Sequence, residues 1–133
     1  ALRNNGIQSP LVELKFSKQE IRQTAKAPGL SVYDRPSNSC LASRIPWGQR
    51  VTAERLARIE VGEMFVKQTI GAKQVRVRDI GGVAKIDVGS DELHLLKSSG
   101  LDDLFSKLKS IGFASVTFDS EGYKPGKINV IAD

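Results

Sequence analysis

Apolar residues recur at helical spacing along residues 52–71 and then at strand spacing along 74–88, and that change of period organises the chain. Thr52 can cap a helix whose first turn carries Glu54, favourable at the positive end of the helix dipole. Leu56, Ile59, Gly62, Val66 and Ile70 then form one stripe, and Gly71 stops the helix. Val75 and Val77 alternate with Arg76 and Arg78, the signature of a half-buried strand. Asp79-Ile80-Gly81-Gly82 reads as a turn, after which Ala84, Ile86 and Val88 alternate with Lys85 and Asp87. Ser90 opens a second helix, interrupted near Ser98-Ser99-Gly100, that resumes through Leu101, Leu104, Phe105, Leu108 and Ile111 and ends at Gly112. Ala114, Val116 and Phe118 mark a third strand. The pattern predicts an α+β fold: a small, mainly antiparallel sheet, with strands near 74–79, 83–88 and 114–118, covered by helices.

Residues 1–50 lack this regularity. Ser17 and Glu20 stand at the two reciprocal positions of a capping box, which predicts a helix over 18–27, and Pro28-Gly29 ends it. Residues 30–48 hold Pro36, Pro46 and a cluster of Ser and Asn without period, so they read as a long exposed loop. Long ordered loops in small proteins are usually functional or linkers. The expected organisation is therefore a mixed segment 1–50 and an α+β domain 51–133.

Composition narrows the class. With 40% hydrophobic and 26% charged residues over 133 positions, the chain reads as soluble and globular with one core. No apolar run has the length of a membrane span, and the start, Ala1-Leu2-Arg3-Asn4-Asn5-Gly6, has no signal-peptide hydrophobic region. A single cysteine fits a reducing compartment, so the expected location is the cytoplasm. A net charge of +5 points to anionic partners. Nucleic acid is one candidate, although the basic residues are scattered and stacking aromatics are sparse; a phosphorylated or carboxylated small ligand accounts for the charge equally well, and composition does not choose between them.

Cys40 is the first candidate for chemistry. One thiol makes no internal disulfide, no CxxC redox pair and no four-cysteine metal site. Arg35 and Arg44 flank it, and positive charge favours the nucleophilic thiolate. The alternative is a small buried hydrophobe, a common fate of free cysteine. Arg76 and Arg78 would share one sheet face with Lys85 and Asp87. Two guanidinium forks a strand period apart can grip a phosphate or dicarboxylate. The alternative there is a solvated face on which Arg76 pairs with Asp87. Glu60 and Glu63, three apart on the first regular helix, could orient a nucleophile or hold a divalent cation, or simply be solvated. His94 has no second His or Cys near it and reads as a surface or packing residue. Trp47 either packs over the cysteine loop or buries against the core. No P-loop or dinucleotide fingerprint is present, and Gly81-Gly82 precedes a strand rather than a helix.

Ser9-Pro10-Leu11, Ser17-Lys18-x-Glu20-Ile21-Arg22 and Pro36-Ser-Asn-Ser-Cys40-Leu-Ala-Ser-Arg44-Ile-Pro-x-Gly48 together resemble the LarE-type ATP-dependent sacrificial sulfur transferases. So do Gln74-Val75-Arg76-Val77-Arg78, Ala84-Lys85-Ile86-Asp87-Val88 and Glu121-Gly122-Tyr123. The similarity runs from about residue 7 to residue 123, with the cysteine block its most specific part. It implies a carboxy-terminal portion of such an enzyme, residues 1–50 being the tail of its nucleotide-binding domain. ATP and magnesium would serve the parent enzyme, and neither would be bound by this portion alone, which lacks the Ser-Gly-Gly-x-Asp-Ser loop. The implied substrate is a pyridinium mononucleotide on the way to a nickel-pincer cofactor. Cys40 would donate sulfur; Arg76, Arg78, Arg44 and Asp87 would line the substrate surface, and a homo-oligomer is expected. Where the family often carries an acidic residue this chain has Met64, which leaves a carboxylate-assisted step to Glu63 if it exists. The competing expectation is a non-catalytic anion-binding or assembly module, with at most weak nucleic-acid affinity, in which Cys40 is only packed.

Overall fold

A computed structural model describes residues 5–35, 37–97 and 100–123. The chain divides into two units, residues 1–37 and 38–133. In the first, a single turn of helix α1 (Pro10–Glu13) is followed by α2 (Lys18–Lys26). The capping box forms as expected: Ser17 Oγ accepts from the Glu20 N–H at 3.2 Å, and Glu20 accepts from the Ser17 N–H at 2.8 Å. Arg22 donates to the carbonyls of Tyr33 (3.0 Å) and Arg35 (2.9 Å), folding the following loop back along α2.

The second unit is built on α3 (Ala53–Ile70), with Thr52 Oγ1 accepting from the Arg55 N–H and Gly71 ending the helix in the left-handed region at φ 71°. Its buried face, Ile59, Gly62, Val66 and Ile70, follows the stripe read from the sequence, with Leu56 only partly buried and the charged Glu63 buried beside it. That face packs on β1 (Val75–Ile80) and on α4 (Leu101–Ser110). Val75, Val77, Ala84, Ile86, Val88, Leu104 and Leu108 complete a core closed to solvent.

The hairpin from β1 to β2 (Val83–Val88) is tighter than the sequence suggests. Ile80 still pairs with Val83, so the turn is Gly81-Gly82 alone, with φ of 58° and 88°. Two successive residues at positive φ match the right-handed twist of the flanking strands, and glycine takes that conformation at little cost.

The sheet is mixed rather than mainly antiparallel. Its order is β1-β2-β3, with β3 (Ser115–Phe118) parallel to β2 and Ala84 opposite Val116. The reason lies in the connection: β2 leaves the sheet at Val88, a helical crossover returns the chain to the starting end, and β3 must run the same way. The first part of that crossover, Ser90–Lys97, is a 3-10 helix rather than the α-helix the apolar pattern suggests. Glu92 sets it: its N–H bonds back to Gly89 and its carboxylate accepts from the N–H groups of Lys73 (2.7 Å) and Gln74 (3.0 Å).

Several charged groups are buried in this unit, and one of them closes the hairpin end of the core. Asp79, fully closed to solvent, accepts from Arg55 Nε (2.9 Å), from Arg58, and from the Gly82 N–H (2.9 Å). Burial alone would lift its pKa, but the hydrogen bonds from Arg55 and Arg58 outweigh that and hold it below the ordinary aspartate value. No helix among the described residues is long and apolar enough to cross a membrane.

Candidate functional site

Cys40 stands immediately before a 3-10 turn, Leu41–Arg44, that packs against both α3 and β1. The thiol residue is exposed, not the buried hydrophobe of the alternative reading. What fixes the loop beneath it is Arg44, which is 1% exposed. Arg44 Nη1 donates to the Ser39 carbonyl (2.8 Å) and the Cys40 carbonyl (3.1 Å), and Nη2 to Asn38 Oδ1 (3.1 Å). On its other side, Nε donates to Glu63 Oε1 at 2.8 Å. Ser43 adds a bond from its hydroxyl to the Cys40 carbonyl at 2.7 Å. Arg44 thus holds the backbone on either side of the cysteine.

The arginine face lies on the strand next to this turn. Arg76 and Arg78 do share the face opposite Val75 and Val77, together with Lys85 and Asp87 from β2. That face is not solvated: Arg76 is 4% exposed, Arg78 6%, and Asp87 fully buried. Nor does Arg76 supply the bond to Asp87, although the two are opposite in register; Arg78 Nε donates to Asp87 Oδ2 at 2.6 Å. The pairing is diagonal, and Lys85 in turn reaches Asp119 just past β3 at 2.8 Å. Each long cation leans one step along the sheet to the next carboxylate, within the reach of diagonal neighbours. Burial raises the Asp87 pKa above the ordinary value, with Arg78 opposing it. Asp87 Oδ1 has no hydrogen-bond partner among the described residues.

Arg76 has a different neighbourhood. Its Nη1 donates to the Val75 carbonyl (2.8 Å), and its guanidinium lies 5.2 Å from the centre of the Tyr123 ring. Burial, and next the charge of Arg44, hold its pKa below the ordinary arginine value, with Glu63 and Tyr123 acting the other way. Arg44, Arg76, Arg78 and Glu63 are therefore one electrostatic neighbourhood. Tyr123 had no assigned role in the sequence reading. The signal for it is Gly122: at φ 73°, a Cβ there would stand 3.1 Å from the Val88 carbonyl. Glycine lets the chain close onto β2 so that the Tyr123 N–H bonds that carbonyl at 2.7 Å.

Glu60 and Glu63 of α3 are not brought together: Glu60 is exposed and Glu63 is buried against Arg44. Met64 is half-exposed, and Trp47, at 85% exposure, neither packs on the core nor covers the loop. His94 is exposed, its Nδ1 within 3.0 Å of the Asp91 carbonyl. Among the described residues no group of three or more His, Cys, Asp or Glu side chains could hold a metal ion. Gly81-Gly82 sits inside the hairpin, so no glycine-rich strand-to-helix loop is available there for a nucleotide phosphate.

The chain is similar in sequence to proteins about twice as long. The chain is 37% identical over 130 residues to an uncharacterized protein of Synechocystis, covering 97% of this chain and 48% of that one. It is 28% identical over 124 residues to the pyridinium-3,5-bisthiocarboxylic acid mononucleotide synthase of Lactiplantibacillus plantarum, covering 93% of this chain and 44% of the synthase. An uncharacterized protein of Methanocaldococcus jannaschii is 27% identical over 118 residues, 89% of this chain and 45% of that one. The chain spans about half the length of the curated relatives it matches. No protein-family model matches it.

Proposed function

We propose that this chain is the cysteine-bearing portion of an ATP-dependent sulfur transferase of nickel-pincer cofactor synthesis, acting in the reducing cytoplasm as a homo-oligomer. The observation that carries the reading is the placement of the sole thiol: Cys40 is exposed on a loop whose backbone is stapled by a buried arginine beside the strand of Arg76 and Arg78. The similarity to a synthase of a pyridinium bisthiocarboxylic acid mononucleotide supports the substrate class. Activation of the substrate carboxylate with ATP and magnesium is assigned to a nucleotide domain outside the described residues, because the sequence carries no Ser-Gly-Gly-x-Asp-Ser loop.

The chemistry assigned to this chain starts from the acyl adenylate. The Cys40 thiolate attacks the activated carbonyl carbon; the acyl–oxygen bond breaks and AMP leaves, giving a thioester. A base then removes the Cα proton of Cys40, the Cβ–S electron pair goes to sulfur, and the substrate departs as a thiocarboxylate. Dehydroalanine remains at position 40. Arg76 and Arg78 supply positive potential for the phosphate or carboxylate, with Arg44 beside them; three guanidiniums against Glu63 and Asp87 leave the cluster cationic.

The test is the mass of the Cys40 peptide in the parent enzyme incubated with ATP, magnesium and the nucleotide. We expect an ATP-dependent loss of the elements of hydrogen sulfide at Cys40, abolished in Cys40→Ser. An unchanged thiol after product has formed would overturn the sacrificial step.

A further inference from the structure

We infer that Glu63 is a positioning residue that sets the cysteine loop in register with the arginine strand; this rests on the sulfur-transfer reading above. Glu63 is the junction of two elements that the proposed chemistry must bring together. Its Oε1 accepts from Arg44 Nε (2.8 Å) and from the backbone N–H of Val77 (3.3 Å). Its Oε2 accepts from Arg44 Nη2 at 3.4 Å. Val77 is the residue between Arg76 and Arg78, and Arg44 holds the Cys40 carbonyl. One carboxylate on α3 therefore links the backbone of the nucleophile to the backbone of the anion-binding strand.

The link is built for direction rather than for stability. Arg44 and Glu63 are both buried, and a buried ion pair is commonly no more stabilising than apolar side chains of the same volume. What apolar residues would not supply is the fixed geometry of a forked donor on a carboxylate. Among the described residues β1 pairs only with β2, so Val77 lies on the outer edge of the sheet; the carboxylate takes the place of a strand partner for its N–H. A loop tied this way holds its reacting sulfur at a set distance from the bound anion, and displacement by about 1 Å is enough to cost roughly a hundredfold in rate.

The decisive variant in the parent enzyme is Arg44→Met with Glu63→Met, which removes both charges and keeps the volume. We expect it to melt within a few degrees of wild type. Its single-turnover desulfuration of Cys40 at saturating nucleotide should slow by about a hundredfold. Glu63→Gln, whose amide oxygen can still accept from Val77 and Arg44, should recover to within about tenfold. A double variant that desulfurates at the wild-type rate would overturn the inference. If the double variant does not fold, Arg44→Lys, which keeps the charge and loses the fork, replaces it with the same expectation. If wild type itself never loses its Cys40 sulfur, the sulfur-transfer reading fails, and amide exchange decides the positioning claim. Exchange of the 38–44 amides should then rise at least about tenfold in the variant, and unchanged protection would overturn it.

Discussion

At the residue scale, buried charges decide how this protein responds to acid. Asp79 is held by Arg55 and Arg58, and its folded pKa lies below its unfolded value of about 3.9. A carboxyl of that kind contributes stability that is fully present above the unfolded pKa and is lost as pH falls through the folded one. Asp87 has the opposite sign: its folded pKa is raised, so the folded state gains stability as pH falls through that raised value. Asp79→Asn should cost about 3 kcal/mol at pH 7, the low end for a broken buried pair because both guanidiniums reach solvent. Thermal melts from pH 7 to pH 3 should show the gap from wild type closing below about pH 4. A constant gap would mean that charge is not what Asp79 supplies. The types of residue at the candidate site were legible: a lone thiol, a flanking arginine and an Arg-x-Arg strand. Their burial was not. Alternation assigns Arg76 and Arg78 to a face but carries no information about what lies over it. The Arg44–Glu63 pair joins positions 19 apart from a loop and a helix, and no periodic pattern connects them.

At the scale of elements, caps and stripes predicted α2, α3, α4 and the strands to within a residue or two, but not α1, the Leu41–Arg44 turn or the 3-10 form of Ser90–Lys97. The Ser17 box, the Thr52 cap, the Gly71 stop and the two hairpin strands all lie where local chemistry put them. The direction of β3 is a property of the crossover, not of the strand, and residues 114–118 alone do not encode it. Gly62 shows how closely the elements approach: a Cβ there would stand 3.2 Å from Leu108 Cδ2, 3.5 Å from Val77 Cγ1 and 3.6 Å from Phe113 Cε2. Sequence placed this glycine in the apolar stripe without saying why it is not a larger residue. Gly62→Val should destabilise by about 2 kcal/mol, because the helix, β1 and α4 have no room to part without losing contacts elsewhere. Urea unfolding should show a lower midpoint at an unchanged slope.

For the molecule as a whole, mixed strand order has a kinetic meaning. The β1–β2 hairpin closes through two glycines already suited to the turn, and hairpins of this kind form in about 1–10 μs. β3 can pair with β2 only after the 3-10 segment and α4 have carried the chain back, which closes a far longer loop. Local pairing should therefore precede the parallel pairing, and the Lys85–Asp119 bridge should form after the main barrier. In chevron measurements, Ile86→Val should slow refolding, whereas Lys85→Met should leave refolding unchanged and speed unfolding alone. The arginine face would then be completed from two directions at two times. Arg76, Arg78 and Asp87 arrive with the hairpin, and the chain around Asp119 and Tyr123 closes beside them last.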